Sequence, residues 1–185
     1  IHVSAIALQR AVGKLVNLDL VLKETPLLGD IGIGHTRWAT HGGVSTENAH
    51  PHVASGRVAI VHNGIIENHR TVRARLEAAG HQFSSDTDSE VLAHLFVEAF
   101  DAGLDPATAT RQVLGEIDGA YAFAVMAIDH PDLLIVARNA SPLALGIGDN
   151  ACYIGSDAIA LSHLTRKVVY LKDHDYALVR ADGVS

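Results

Sequence analysis

Cysteine is almost missing from this 185-residue chain. Cys152 stands alone, so no internal disulfide and no C-x-x-C metal or redox pair can form. Aromatic residues make up only 5%, which leaves Ala, Val, Leu and Ile to build the core. Basic residues are outnumbered, 14 Lys plus Arg against 21 Asp plus Glu, for a net charge of −7. A surface of that sign suits a phosphate backbone poorly, so nucleic acid is not an expected partner. No apolar run approaches the roughly 20 residues of a membrane span, and no membrane partner is expected. The opening Ile1-His2-Val3-Ser4 has no basic start of a signal peptide. With so little cysteine, the expected compartment is the cytoplasm. The strings H-E-x-x-H, G-x-S-x-G and the P-loop are also absent, which removes three common routes to hydrolysis or phosphate chemistry.

What is present suits one domain, 48% hydrophobic and long enough to bury a single substantial core. Val3–Val12 reads as a strand, Leu15, Leu18 and Leu22 follow at helical spacing, and Ile31–Arg37 reads as a short buried strand. Trp38–Pro51 has no periodicity and reads as a long loop. Arg57–His62 is an expected strand closed by an Asn63-Gly64 turn, and a helix is expected over about 68–79. Gln82–Ser84 suggests a short strand. Thr87-Asp88-Ser89-Glu90 has the form of a capping box opening a helix, and Pro106–Ile117 is another helix. From Tyr121 onward six short apolar runs alternate with turn residues, with only Asp157–Leu164 helical. Helices early and a meander late give an α+β class with antiparallel sheet.

Three places can carry chemistry. In Gly34–Gly42, Arg37 can present a guanidinium fork to a ligand carboxylate, or can simply pair with a structural Asp. Asn63 and the N–H of Gly64 can aim at one oxygen as an oxyanion hole, or form a plain tight turn. Asp88 can anchor an ammonium, or cap a helix. His35, His41, His50, His52, His62 and His69 crowd together, yet their spacing fits no usual zinc site; they are read as bracing the loop, with no metal and no cofactor expected. Cys152 sits in a strand pattern and reads as core.

The strings HTRWATHG at 35–42, NAHPH at 48–52, VHNGIIENH at 61–69 and TDSEV with AHL between Thr87 and Leu95 go further. Together with Ala137–Leu143, Ile154–Asp157 and Thr165-Arg166, they make the chain resemble class II glutamine amidotransferase domains, a group of N-terminal-nucleophile hydrolases. The resemblance implies a four-layer αββα sandwich of two antiparallel sheets. It implies that Arg37 binds the α-carboxylate of L-glutamine, and of the product L-glutamate, and Asp88 the α-ammonium. Trp38, Thr40 and His41 would line the pocket, His50 would lie near it, and Asn63 with Gly64 would form the oxyanion hole. The strings are nearest to the branch that passes ammonia to fructose 6-phosphate through separate sugar isomerase domains, in a parent expected to be a homo-oligomer. The family's nucleophile is an N-terminal Cys followed by an R-G-Y-D-S-A-G-like segment, and neither occurs here. Residues 1–185 are therefore expected to be a glutaminase domain without its N-terminal segment and isomerase domains, inactive as written.

Overall fold

The computed structural model of the chain describes residues 5–37 and 43–185. After helix α1 (Leu15–Glu24) come strands β1 (His52–Ala54) and β2 (Val58–Ile66). Three helices follow, α2 (His69–Ala78), α3 (Glu90–Asp101) and α4 (Pro106–Glu116). The rest is β3 (Gly119–Ala127), β4 (His130–Asn139), β5 (Ala144–Ile147), β6 (Cys152–Gly155), the short α5 (Ala158–Leu161), β7 (Lys167–Tyr170), β8 (Tyr176–Arg180) and β9 (Gly183–Val184). Six strands form one antiparallel sheet in the order β1-β2-β3-β4-β8-β9, and three form a second in the order β6-β5-β7.

Side chains alternate across a strand, so β3 feeds two cores at once. Tyr121, Phe123 and Val125 point to a cluster shared with α2, α3 and α4. Ala122 and Ala124 point the other way, to a cluster shared with Leu143 and Leu145 beside the second sheet. On the far face of that second sheet, Leu161 of α5 lies over Gly146 and Gly155. The layers are thus helices, sheet, sheet and a single helical turn, the expected α+β sandwich with a minimal fourth layer. Nine of the twelve residues of α3 are buried, which makes it the central helix. Full burial of a Leu, Val or Phe is worth about 1.5–3 kcal/mol each.

Several local expectations need correction. Residues 5–12 and 31–37 form no strand: the former lack alternation strong enough to fix a register, and in neither stretch is any residue buried. Asn63-Gly64 is no turn, because β2 runs straight through it, pairing Asn63 with Ala122 and Gly64 with Tyr121. Gln82–Ser84 is irregular, and the capping box does not form. Helix α3 begins only at Glu90, whose carboxylate instead binds Ser84 and Ser85. The short strands β1 and β9 had no sequence signal of their own, being three and two residues long. Cys152 is half-buried against the second core, and burial, then Asp182, pushes its thiol up.

Candidate active site

A cavity of about 720 Å³ opens where the C-terminal half of β2, the loop before α3 and the end of β6 meet residues 34–37. Arg37, His50, Asn63, Gly64 and Asp88 all line it, so five of the expected site residues come together. Trp38, Thr40 and His41 lie outside the described residues.

β2 delivers the first pair. Gly64 has φ +125°, a conformation that side chains rarely adopt, and a Cβ there would lie 2.0 Å from the carbonyl oxygen of Ala120 on β3. Only glycine lets the two strands close at this point. Asn63, one residue earlier, accepts at its Oδ1 from His35 Nε2 at 2.7 Å. The direction of that bond follows from the other ring nitrogen. His35 Nδ1 receives the backbone N–H of Arg37 at 2.8 Å, so it carries no proton and Nε2 must. Burial holds the His35 pKa below its usual range, against the raising effect of Asn63, which keeps the ring neutral in this role. With its oxygen committed, Asn63 has its NH2 left to offer a ligand oxygen.

Arg37 adopts φ 40°, an uncommon left-handed backbone for a non-glycine residue. Such a conformation costs on the order of 1 kcal/mol, and the bond to His35 helps to hold it. The guanidinium Nη1 donates to the carbonyl of Gly43 at 3.0 Å, which Asn48 Nδ2 also reaches at 3.2 Å. Asp88 lines the cavity from the loop before α3. It is 2% exposed, and its Oδ2 accepts the N–H of Ile66 at 2.8 Å, tying the carboxylate to the end of β2. The cavity thus has a cationic fork, a buried carboxylate and a strand end in its lining.

Histidines form the remaining polar shell. The His50 ring lies between His35 and His52, with centroids 4.3 and 4.5 Å away. Burial, then the neighbouring His52 and His35, holds His50 down at about 2. Burial likewise holds His52 at about 4, although Glu90 opposes it. His62 is bonded through Nδ1 to Ser89 Oγ at 2.8 Å, and burial holds it at about 4 against the raising effect of Asp88. Among the described residues no group of three or more His, Cys, Asp or Glu is arranged to hold a metal ion.

Sequence reasoning read His62 only as a loop brace, and assigned no site role to Ser89 or to the Ile154–Ser156 wall that the second sheet contributes. The signal was there in the VHNGIIENH and IGSD strings, but a string does not say which residue faces a cavity.

The family model for the glutamine amidotransferase domain matches residues 35–163. The chain belongs to that family. It is 52% identical over 184 residues to glutamine–fructose-6-phosphate aminotransferase [isomerizing] of Zymomonas mobilis, covering all of this chain and 30% of the relative. The same enzyme of Mesorhizobium japonicum is 53% identical over 180 residues, 97% of this chain and again 30% of the relative. The chain therefore spans about 30% of the length of these relatives. Among solved structures, glutamine phosphoribosylpyrophosphate amidotransferase from B. subtilis superposes with a TM-score of 0.64 at 26% identity, covering 82% of this chain and 33% of that one. A class-II glutamine aminotransferase domain protein from Silicibacter pomeroyi shares the fold, with a TM-score of 0.51 at 16% identity over 72% of this chain and 68% of that one.

Proposed function

We propose that this amidotransferase domain binds L-glutamine in the cavity and supports its hydrolysis to L-glutamate, as the ammonia-generating part of a larger aminotransferase. One observation carries the reading: Arg37 and the buried carboxylate of Asp88 line the same cavity as Asn63 and Gly64. An α-amino acid has one carboxylate and one ammonium on a single carbon, and a cation and an anion lining one cavity are the matching pair. Arg37 takes the α-carboxylate, with the flat fork that binds carboxylates at two points. Asp88 takes the α-ammonium. The side-chain amide then reaches Asn63 Nδ2 and the N–H of Gly64, donors suited to the oxyanion of a tetrahedral intermediate, where preorganised groups are worth about 2.7–4 kcal/mol each. Trp38, Thr40 and His41 complete the pocket in this reading, and His50 braces it.

The attacking group is a cysteine thiol at a protein N-terminus, outside these 185 residues; Cys152 is not among the residues that line the cavity. An α-amino group, with a pKa of about 8, is the adjacent base. The names of the relatives support fructose 6-phosphate as the ammonia acceptor, bound by isomerase domains beyond this chain, with glucosamine 6-phosphate as the product. Among the described residues no helix is long and apolar enough to cross a membrane, and a cytoplasmic site suits the reaction. A second reading, a glutamine-binding module without catalysis, is favoured by the lack of a cysteine among the described residues that line the cavity.

Calorimetric titration of L-glutamine and L-glutamate tests the binding core that both readings share. Arg37→Lys keeps the charge but loses the fork and should weaken binding by about 1.5–3 kcal/mol. Asp88→Asn keeps an oxygen for the Ile66 N–H but loses the charge, and should weaken it by a similar amount. Unchanged affinity in both variants rejects the reading. Joining this chain to an N-terminal cysteine segment and measuring glutamate release then separates enzyme from binding module.

A further inference from the structure

The six residues before α3 have no regular secondary structure, yet each is fixed. Glu90, 1% exposed, accepts four hydrogen bonds. Ser84 donates its N–H and Oγ to Oε1, both at 2.8 Å, and Ser85 donates its N–H at 2.7 Å and Oγ at 2.6 Å to Oε2. Asp86 N–H donates to Asn48 Oδ1 at 2.9 Å. Asp88 and Ser89 hold Ile66 and His62, as above.

The charge on Glu90 also sets the direction of a longer chain. Ser85 gives its only hydroxyl proton to Glu90, so in its 3.0 Å bond with Thr87 Oγ1 it must accept. Thr87 has then spent its proton, and in its 3.0 Å bond with His52 Nε2 it must accept as well. His52 is thereby fixed as the Nε2–H form, which agrees with its buried Nδ1 having no partner. A carboxylate can only accept, and every bond in the series points toward it. Burial alone would push the Glu90 carboxyl up, but His94, Ser85 and Ser84 hold it down at about 2, so it stays ionised.

We infer that Glu90 is a positioning residue that sets the selectivity of the cavity for a ligand ammonium by orienting the loop that carries Asp88. The inference rests on the amino-acid reading of the cavity. Glu90 does not line the cavity, whereas Thr87, Asp88 and Ser89 all do. In Glu90→Gln one amide end donates, so it cannot accept both bonds from one serine; that serine must turn, and Asp88 shifts with the loop.

Titrate the 185-residue chain with L-glutamine and with glutaramate, which is glutamine without its α-amino group. Wild-type protein should prefer L-glutamine. Glu90→Gln should lose about tenfold in affinity for L-glutamine, the scale of hydrogen bonds to a charge, and less than about twofold for glutaramate. Ser85→Ala keeps Glu90 and the backbone bonds, and covers the case in which Glu90→Gln does not fold. It should shift the ratio of the two affinities the same way by about threefold. An equal loss for both ligands, or an unchanged ratio in the folded variants, overturns the inference and leaves the cavity reading standing. A wild-type chain that binds neither ligand, or both equally, overturns the amino-acid reading and the inference with it.

Discussion

On one side of the cavity, Asn63 and Gly64 sit inside a nine-residue strand, and Asp88 precedes a helix in which nine of twelve residues are buried. On the other side, Gly34–Arg37 end a stretch, residues 5–37, in which no residue is buried and no strand forms. The first wall is shaped by backbone ladders and core packing. The second is tied down by individual side-chain bonds, His35 to Asn63, Arg37 to Gly43 and Arg10 to the carbonyl of Pro51. The division is chemically sensible. Oxyanion donors need placement to a fraction of an ångström and profit from a rigid strand. A two-point fork needs orientation too, and here single hydrogen bonds to His35 and Gly43 supply it in place of a strand ladder.

The strongest way to break this comparison is a methyl group on each wall. Gly64→Ala puts Cβ 2.0 Å from the Ala120 oxygen, 2.7 Å from its carbonyl carbon and 3.0 Å from Tyr121 Cα, at φ +125°. All three are backbone atoms of β3, so none can swing aside. A loss of about 4 kcal/mol or more is expected, near the limit for single substitutions. Gly34→Ala meets nothing within 4 Å and should change stability by less than about 0.5 kcal/mol. Urea unfolding of both variants checks this, and equal costs would mean that the two walls do not differ in rigidity.

The same contrast explains what the sequence disclosed. Helices α2 and α4 and the strands after Gly119 were legible because their apolar spacing answers to one local period each. Residues 5–12 and 31–37 read as strands because they are apolar, but pairing is a property of two segments, and one segment's composition cannot supply it. Asn63-Gly64 misled for a related reason. The dipeptide favours turns by its own conformational freedom, and here that freedom is used to let β2 pass close to Ala120. Glu90 looked like a cap because a capping box specifies only residue types three apart. Its real partners, Ser84 and Ser85, lie on the other side of Asp88 in the sequence. The motif strings single out Arg37, His50, Asn63, Gly64 and Asp88, which line one cavity, but say nothing of the geometry that brings them there.

Acid should act on both walls, since His35 and His50 are held below the usual histidine range as well as the strand histidines. His52 and His62 belong to β1 and β2, and both are held at about 4 when folded. The unfolded chain binds these protons below about 6.5, the ordinary histidine value. Between those limits the unfolded state holds more protons, so stability is fully present above about pH 6.5 and is lost as pH falls toward 4. Each such histidine contributes a slope of up to about 1.4 kcal/mol per pH unit. Urea unfolding at several values between pH 7 and pH 5 should show this decline, and His52→Asn should flatten it by one proton. A stability that stays level down to pH 5 would mean that these rings are open to solvent.

The smallest effect tests the outer wall itself. Helix α1 buries none of its ten residues, although Leu15, Val16 and Leu20 are apolar and Leu20 is 55% exposed. Leucine to alanine in a packed core costs about 2–5 kcal/mol, because transfer free energy is lost and a cavity remains. At Leu20 neither term applies in full: most of the side chain is already in water, and no enclosed space is left behind. Alanine also has the higher helix propensity, by a few tenths of a kcal/mol, which offsets part of the small burial that Leu20 gives up. The nearby ion pair of Lys23 with Asp19, 2.6 Å apart on the exposed face, spans one turn and persists in the variant. Leu20→Ala should therefore shift the urea midpoint by no more than about 0.5 kcal/mol in stability. A loss above about 1 kcal/mol would show that α1 rests on the protein more firmly than its exposure implies, and would narrow the difference between the two walls from the side opposite to Gly64.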